Sequence, residues 1–453
     1  MLYKTKNYAL ILLASFCVTA FFSCEVFAAK KLAEKADAKI INTKKPVARK
    51  VAAKKKKTLA QEAVAAPNKT AQAVADNAPA PVKSGIAAEF SHLAQADYFF
   101  LMDHDTKEIL LQKNADVRLA PSSMTKIMTA YVVFDQIKQG HITLDNQCLI
   151  GKDAWRKSGS SMFLNYGDVV SVNELVKGLL AVSGNDAAMA LAESTAGGID
   201  KFVALMNIKA KELGLKNSHF ANPHGLNEDG HYMSVHDLGI LISRIYSDFP
   251  QFAPYLSIEE FTYHSITQPN HNPLIQNNYD GMVGGKTGYT GDGGYGVVGS
   301  VKRNNRRLVA VVNKVKTPKL RGAIIAELFD YGFERYKKLT LFEKDQPIAK
   351  LKIWMGKSSE TTVAPNQEIS FNIPTEKQIE AVKVKVEYLG PIYAPVAKGA
   401  KIAVLKVEIK NYKTLEYSLF AKENVDKSGY LQRMTQLLRY KTRALLMRFG
   451  LIS

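Results

Sequence analysis

The sequence predicts an α+β domain followed by a smaller β-rich domain. Apolar residues recur at helical spacing in three segments, which are 130–137, 172–192 and 202–213. A strand, turn and strand follow over 295–315, and a further helix is predicted at 320–336. Helices interleaved with a terminal antiparallel sheet are typical of α+β domains, and we assign this domain to residues 90–341.

After residue 342 apolar and polar residues alternate in short segments. These segments occupy 351–354, 382–388 and 403–409, and turns containing proline or glycine separate them. A period of two is the pattern of a strand with one buried face. The sequence therefore predicts a small β-sandwich over residues 342–427.

The N-terminus has the pattern of a secretory signal peptide. Lys4 and Lys6 precede an apolar run over 8–22, and small side chains at Val26 and Ala28 lie three and one before a cleavage site. The alternative is a membrane-spanning anchor, but the run is shorter than the ~20 residues that a bilayer core requires. We therefore expect residues 1–28 to be removed on export.

The distribution of charge disfavours one broad class of function. The 453 residues include 61 Lys and Arg against 42 Asp and Glu, a formal net charge of +19. Residues 30–57 carry twelve basic and two acidic side chains, and residues 431–450 carry five and none. The rest of the chain is nearly neutral, which is unlike a nucleic-acid-binding fold.

Cys148 is the one cysteine outside the first 28 residues, so we expect no internal disulfide after export.

Residues 29–89 are rich in Lys, Ala and Pro and contain no aromatic residue. Such a composition buries too little apolar surface to offset the entropy of ordering, and it predicts a disordered linker. Its positive charge could hold it on anionic lipid headgroups or on an anionic polymer. A solvated tether without a specific partner is the simpler interpretation, and we prefer it.

Residues 428–453 predict a basic amphipathic helix. An arc of about 120° on the helical wheel carries the apolar residues Leu431, Met434, Leu438, Leu445, Phe449 and Ile452. The cations lie outside this arc or at its edges, and no acidic residue interrupts them: Arg433, Arg439, Lys441, Arg443 and Arg448. The pattern indicates an anchor lying in an anionic membrane interface. The alternative is a helix packed on the β-sandwich.

Three short motifs in the α+β domain carry functional chemistry. The first is Ser123-Met124-Thr125-Lys126, which opens an apolar helical run. Residues three apart share a helix face, so the amine of Lys126 can reach the hydroxyl of Ser123. A neutral lysine can serve as the base that activates a serine, and a helix start offers a free backbone N–H to an oxyanion. No other S-x-x-K occurs in the chain.

The second motif is Ser183-Gly184-Asn185, near the end of an apolar helical segment. A hydroxyl and an amide two residues apart can relay a proton and hold a lysine side chain. A similar triplet begins at Ser171, but Ser171 and Glu174 have capping-box spacing, which indicates a helix start. We assign the functional role to Ser183 and Asn185.

The third motif is Lys286-Thr287-Gly288, preceded by two glycines and followed by a predicted strand. A cation, a hydroxyl and bare glycines beside a strand can hold an extended peptide that ends in a carboxylate. A lone K-T-G would be interpreted as a turn. Its occurrence with the other two motifs, in this order, indicates a shared site.

Together the three motifs are the set found in penicillin-binding proteins and serine β-lactamases. Four longer stretches resemble the low-molecular-mass D-alanyl-D-alanine carboxypeptidases of that group, and they are residues 120–126, 159–164, 222–226 and 280–290. The resemblance spans residues 90–430 and extends to the amphipathic tail, whereas the Lys/Ala-rich linker departs from the family. It implies a penicillin-binding, β-lactamase-like transpeptidase fold for the first domain.

The resemblance also implies a mechanism. Ser123 would attack the carbonyl between the last two D-alanines of a cell-wall stem peptide, and Lys126 would accept its proton. Ser183 would pass a proton to the departing amine, while Asn185 and Lys286 order the network. Burial and the charge of Lys286 would both lower the pKa of Lys126 and so favour the neutral base.

The family's substrate-binding residues also have counterparts here. The backbone N–H groups of Ser123 and Tyr289 would form an oxyanion hole, and the family often has His in place of this tyrosine. Thr287, beside Gly288, would bind the terminal carboxylate of the substrate. Arg321 aligns with the family's carboxylate-binding arginine.

We therefore expect a serine D,D-carboxypeptidase that limits crosslinking at the periplasmic face of the inner membrane and is acylated by β-lactams. We expect no metal, because His224, His231 and His236 match no zinc spacing, and no cofactor, because no cofactor motif occurs. We expect no nucleic acid, because the globular part of the chain is nearly neutral. A D,D-endopeptidase shares all three motifs and remains an alternative. A β-lactamase would need an added base, and Glu174 is already explained as part of a cap. A non-catalytic wall-binding scaffold would not need the complete set of motifs.

Overall fold

The structure is a computed structural model that describes residues 41–42, 90–377 and 381–448, with side chains for 90–377 and 381–442. The predicted signal peptide lies outside the described residues. So does the predicted linker, apart from Ile41–Asn42. These two residues form a short strand, β1.

The helices and strands follow one another along the chain. The helices are α1 (Lys126–Lys138), α2 (Lys152–Trp155), α3 (Val172–Ala181), α4 (Asn185–Ala196), α5 (Ile199–Glu212), α6 (Val235–Asp248), α7 (Pro273–Gln276), α8 (Pro318–Arg335) and α9 (Tyr430–Arg448). The strands after β1 are β2 (Tyr98–Asp103), β3 (Ile109–Lys113), β4 (Gln147–Leu149), β5 (Val169–Ser171), β6 (Glu260–Tyr263), β7 (Ile266–Pro269), β8 (Met282–Thr290), β9 (Gly294–Arg303), β10 (Arg306–Val315), β11 (Tyr336–Phe342), β12 (Ala349–Trp354), β13 (Glu360–Ala364), β14 (Ile369–Pro374), β15 (Val382–Tyr388), β16 (Ile392–Tyr393), β17 (Lys401–Ile409) and β18 (Lys413–Ala421).

The described chain divides into two compact units. The N-terminal unit comprises residues 90–338 and 370–377, and the C-terminal unit comprises 41–42, 339–369 and 381–448. A single boundary between 341 and 342 was predicted. The division instead places residues 370–377, which follow the start of β14, with the N-terminal unit.

A five-stranded antiparallel sheet of order β3-β2-β10-β9-β8 forms the centre of the N-terminal unit. Its inner strands are buried on both faces, which explains their nearly continuous apolar sequence. One face, with Phe100 and Val311, joins the core of the helical lobe built from α1 and α3 to α6. The other face, with Phe99 and Val312, packs with α8. The α+β prediction is confirmed.

The hairpin predicted over 295–315 is formed by β9 and β10. Asn304 and Asn305 both have positive φ, at 45° and 61°, which is the backbone of a two-residue hairpin turn. The predicted helix at 320–336 is α8, and the Thr317 side chain caps it by accepting a hydrogen bond from the Leu320 N–H. β9 pairs with β8, the edge strand that carries the K-T-G motif.

The C-terminal unit is rich in strands, as predicted. Most of them belong to a seven-stranded sheet of order β1-β15-β17-β18-β13-β12-β16. Alternate residues of β17, such as Leu405 and Val407, are buried, which agrees with the predicted period of two. Along the residues that are described, no helix is both long and apolar enough to cross a bilayer.

Candidate active site

Ser123 lies in a tight turn immediately before α1. Residues Ser122–Thr125 form a 3₁₀ turn, and α1 begins at Lys126, so the motif opens the helical run through a 3₁₀ turn. A 3₁₀ turn has three residues per turn, so it still aligns residues i and i+3. The Lys126 Nζ lies 3.1 Å from the Ser123 Oγ. The spacing of the motif therefore places base and nucleophile in contact.

Lys126 is completely buried, whereas Ser123 is only half-buried. The Nζ also lies 2.7 Å from the Asn185 Oδ1 and 2.7 Å from the His224 carbonyl oxygen, which can only accept hydrogen bonds. A neutral amine has two hydrogens and one lone pair. If the hydrogens go to the two carbonyl oxygens, the lone pair is left to accept the proton of the Ser123 hydroxyl.

The pKa of Lys126 lies well below the ordinary lysine value. Burial is the largest cause, the charge of Lys286 lowers it further, and the carboxylate of Asp186 opposes both effects. Both predicted causes of the lowered pKa are therefore present. A lysine with a depressed pKa has the unprotonated form that a general base requires.

Ser183 and Asn185 lie where the chain breaks between two helices. The apolar segment 172–192 was predicted as one helix, but α3 ends at Ala181 and α4 begins at Asn185. Ser183 has a φ of 63°, a left-handed conformation that cannot continue an α-helix. The break turns the S-x-N motif towards Lys126.

The side chain of Asn185 is held at both ends. Its Oδ1 accepts from Lys126, and its Nδ2 donates to the Ser158 carbonyl at 2.7 Å. Its backbone N–H donates to the Ser160 carbonyl, also at 2.7 Å. The amide orientation is thereby fixed with the oxygen towards the lysine.

The hydroxyl of Ser183 is buried and has no hydrogen-bond partner among the described residues. Buried polar atoms in folded proteins are almost always paired, and unpaired ones need an explanation. A hydroxyl that is free in the empty site can bond to a substrate atom.

Lys286, Thr287 and Gly288 lie on β8, at the edge of the sheet. Lys286 is buried, its Nζ donates to the Thr287 carbonyl at 3.2 Å, and burial followed by the charge of Arg321 lowers its pKa to about 7. A Cβ on Gly288 would lie 3.0 Å from the Pro121 carbonyl oxygen. The strand therefore passes directly against the turn that carries Ser123, which explains the glycine.

Arg321 lies in the first turns of α8, near the same edge. Its guanidinium is 5.9 Å from the ring centre of Tyr295, which stacks on the half-exposed ring of Tyr289 at 4.3 Å. The Arg321 Nη2 donates to the His271 carbonyl oxygen at 3.4 Å, and the buried Nε has no hydrogen-bond partner within the described part of the chain. Burial lowers the pKa of Arg321.

The site carries positive charge that the protein does not neutralise by contact. In the part of the chain that the structure describes, Lys126, Lys286 and Arg321 form no ion pair with a carboxylate. The Arg321 Nε and the Ser183 hydroxyl also offer hydrogen-bond donors that have no partner among the described residues. The arrangement can bind an anionic ligand and can activate Ser123 as a nucleophile towards it.

The histidines have structural contacts. The His231 Nδ1 accepts from the Ala221 N–H at 3.0 Å, its Nε2 lies 2.8 Å from the Thr125 Oγ1, and burial lowers its pKa to about 4. Burial also lowers the pKa of His224 to about 3. Among the described residues no three His, Cys, Asp or Glu side chains are grouped to hold a metal.

The predicted cap at Ser171 is confirmed, and a second cap of the same kind occurs at Ser234. The Ser171 side chain accepts from the Glu174 N–H at 3.2 Å, and that of Ser234 accepts from the Asp237 N–H at 3.1 Å. Four groups of the site were not predicted: the carbonyls of Ser158, Ser160 and His224, and the carboxylate of Asp186. Backbone carbonyls have no signal in a single sequence, although all three lie in or beside stretches that resemble the carboxypeptidases.

Two family models match the chain. Residues 86–317 match the family described as D-alanyl-D-alanine carboxypeptidase, and residues 336–427 match the C-terminal domain of penicillin-binding protein 5. Residues 318–335, which form α8, lie between the two matches.

Individual proteins are similar over most of the chain. D-alanyl-D-alanine carboxypeptidase DacF of Bacillus subtilis is 35% identical over 348 residues, which are 76% of this chain and 89% of that protein. DacC of Escherichia coli is 34% identical, with 76% and 87% covered. The crystal structure of penicillin-binding protein 5 from Haemophilus influenzae has a TM-score of 0.69 at 34% identity and covers 73% of this chain and 98% of its own.

Proposed function

The chain belongs to the D-alanyl-D-alanine carboxypeptidase family, and we propose that it removes the terminal D-alanine of peptidoglycan stem peptides with Ser123 as its nucleophile. One observation carries the assignment of the nucleophile: the buried amine of Lys126, with its lowered pKa, lies 3.1 Å from the accessible Ser123 hydroxyl.

The reaction begins with the transfer of the Ser123 proton to the neutral amine of Lys126. The Ser123 Oγ bonds to the carbonyl carbon of the scissile peptide, and the oxyanion accepts hydrogen bonds from the backbone N–H groups of Ser123 and Tyr289. The C–N bond then breaks as Ser183 donates a proton to the departing D-alanine amine and regains one from Lys126. Water hydrolyses the ester and frees Ser123.

Substrate recognition uses the uncompensated positive charge of the site. The peptide extends along the open edge of β8, where its backbone can pair with the strand. Its terminal carboxylate binds the Thr287 hydroxyl and the guanidinium of Arg321, whose Nε has no partner among the described residues. The charge of Lys286 favours the same anion. β-Lactams carry a carboxylate beside a strained amide and occupy the same position.

Replacement of the nucleophile tests this proposal. Ser123→Ala should abolish both D-alanine release from a pentapeptide and covalent labelling by fluorescent penicillin, because among the described residues no other hydroxyl is hydrogen-bonded to Lys126. Ser122→Ala is the matched control, since Ser122 lies in the same turn but its Oγ contacts the Thr290 Oγ1 at 3.0 Å instead. It should keep the labelling.

Two outcomes would contradict the assignment. One is a penicillin adduct that peptide mapping locates on a residue other than Ser123. The other is wild-type protein that cleaves crosslinked dimers but releases no D-alanine from pentapeptides, which would favour a D,D-endopeptidase.

We also propose that α9 holds the exported enzyme on the periplasmic face of the inner membrane. One side of α9 contacts its own unit: the Gln436 Oε1 accepts from the Met355 N–H at 2.9 Å, and the Tyr440 ring lies 5.2 Å from that of Trp354. The apolar residues Leu431 and Leu438 are exposed. An exposed apolar face on a helix rich in cations supports binding to anionic lipid. Leu445, Phe449 and Ile452 lie outside the residues whose side chains are described.

A further inference from the structure

Asp186, the residue after the catalytic asparagine, is buried and no motif assigns it a role. Its carboxylate accepts hydrogen bonds from the Ser161 hydroxyl at 2.6 Å, the Met162 N–H at 3.1 Å and the Leu164 N–H at 3.2 Å. It also accepts from the N–H of Ala187, in the first turn of its own helix, at 2.9 Å. The carboxylate is thus bound almost entirely by one loop.

That loop also supplies the carbonyls that bind Asn185. Asn185 donates to Ser158 and Ser160, and Asp186 accepts from the three donors that follow. Two consecutive residues of α4 therefore bind opposite polar groups of the same loop, residues 158–164. If the loop moved, Asn185 would lose the partners that keep its Oδ1 towards Lys126.

Asp186 also influences the charge of Lys126. The groups that face this amine are Lys286 from β8, Asp186 from α4, and His224 and His231 from the chain between α5 and α6, with Lys157 beyond His224. The two histidines are neutral at pH 7 because burial lowers their pKa values to about 3 and about 4. Among these groups Asp186 is the one anion, and it favours the protonated form of Lys126.

We propose that Asp186 is a positioning residue for the carboxypeptidase reaction, which fixes the loop 158–164 around Asn185 and opposes the positive charge of Lys286 at Lys126. This inference rests on the proposed roles of Ser123 and Lys126. The carboxylate of Asp186 has two effects, one on the geometry of the loop and one on the charge of Lys126. Substitutions can separate these two effects.

The test compares three variants by D-alanine release across a range of pH. Asp186→Asn keeps the size of the side chain but removes its charge and one of its acceptor oxygens. It should lower kcat at pH 8 by about tenfold, because the donors of a buried loop lose their charged partner. It should also move the acid limb of the kcat/KM profile to lower pH, since without the anion the pKa of Lys126 falls further.

Ser161→Ala and Asp186→Glu are the controls. Ser161→Ala removes one hydrogen bond and keeps the carboxylate, so the acid limb should remain at its wild-type pH. Asp186→Glu keeps the charge but displaces the loop, so kcat should fall without a comparable shift of the acid limb. This variant still tests the geometric role if Asp186→Asn does not fold.

The outcomes separate this inference from the assignment of function. Wild-type protein that releases no D-alanine would overturn the proposed function. An active wild type with a normal kcat in Asp186→Glu, or an unshifted acid limb in folded Asp186→Asn, would overturn the role of Asp186. An equal shift of the acid limb in Ser161→Ala would also overturn it, because the shift would then not depend on the charge.

Discussion

At the scale of single residues, the position of Ser123 depends on a glycine one hundred residues away. Gly225 has a φ of 87°, and a Cβ there would lie 1.9 Å from the Ser122 carbonyl oxygen. The preceding residue, His224, supplies the carbonyl that binds the amine of Lys126. The segment therefore supports the turn of the nucleophile and orients its base.

Gly225→Ala should therefore damage the site more than left-handed strain alone. Such strain costs about 1–2 kcal/mol for an alanine. Gly214→Ala is the matched control, because Gly214 has a similar φ of 73° but no atom lies within 4 Å of its Cβ position. We expect Gly214→Ala to acylate with penicillin at the wild-type rate and Gly225→Ala to lose most of this rate, as measured by stopped flow. Equal acylation rates in the two variants would show that the contact with Ser122 is unimportant.

The sequence predicted the reacting groups and Asn185, but not the backbone carbonyl that also binds Lys126. Ser123 and Lys126 are three residues apart, so the local turn brings them together. The carbonyl of His224 is 98 residues from Lys126. Contacts at such separations depend on tertiary packing, which a single sequence does not encode in its spacing. The left-handed backbone conformation of Ser183 was also not predicted, because serine does not favour a positive φ.

At the scale of helices and strands, periodicity predicted which elements exist better than where they begin and end. α8, β9 and β10 lie within two residues of their predicted bounds. The prediction of a single helix over the apolar segment 172–192 was wrong. Both α3 and α4 are apolar, and their apolar patterns continue across the break between them. The break coincides with the S-x-N motif, so the motif is the feature of the sequence that could have indicated it.

Helix α9 gives a prediction at this scale. Leu431→Glu together with Leu438→Glu should release the protein from vesicles that contain anionic phospholipid, because both exposed apolar side chains become charged. The activity on a soluble peptide should not change. Flotation of vesicles with bound protein measures the release.

The control for this experiment has the same added charge. Gln432→Glu together with Thr435→Glu places two carboxylates at exposed polar positions of α9 and should weaken binding much less. If both pairs of substitutions released the protein equally, net charge and not the apolar face would explain the binding.

At the scale of the whole molecule, the chain returns to the N-terminal unit after leaving it. Asn372 is buried, and its Oδ1 accepts from the Arg306 Nη2 at 2.7 Å. Its backbone N–H donates to the Glu108 Oε2 and its Nδ2 to the Thr106 Oγ1, both at 2.7 Å. Arg306 in turn donates to the buried carboxylate of Asp103. The composition of the chain does not change at residues 370–377, so the sequence predicted a single domain boundary, between residues 341 and 342.

Asn372→Ala should lower the free energy of unfolding of the N-terminal unit by about 2 kcal/mol, because buried donors and acceptors lose their partner. The chain has two tryptophans, Trp155 in the N-terminal unit and Trp354 in the C-terminal unit. In a Trp354→Phe background, urea unfolding followed by Trp155 fluorescence therefore reports on the N-terminal unit. Asn366→Ala, at an exposed position, is the control, and equal midpoints in the two variants would contradict the prediction.

The enclosure of Lys126 and Lys286 has a practical consequence. Reagents that couple proteins to a solid support through amines react with an accessible, unprotonated nitrogen, and the side chains of Lys126 and Lys286 are buried. Coupling would therefore consume surface lysines and leave the reactive pair unmodified. The protein could be immobilised through its surface lysines without modification of Lys126, the base of the reaction.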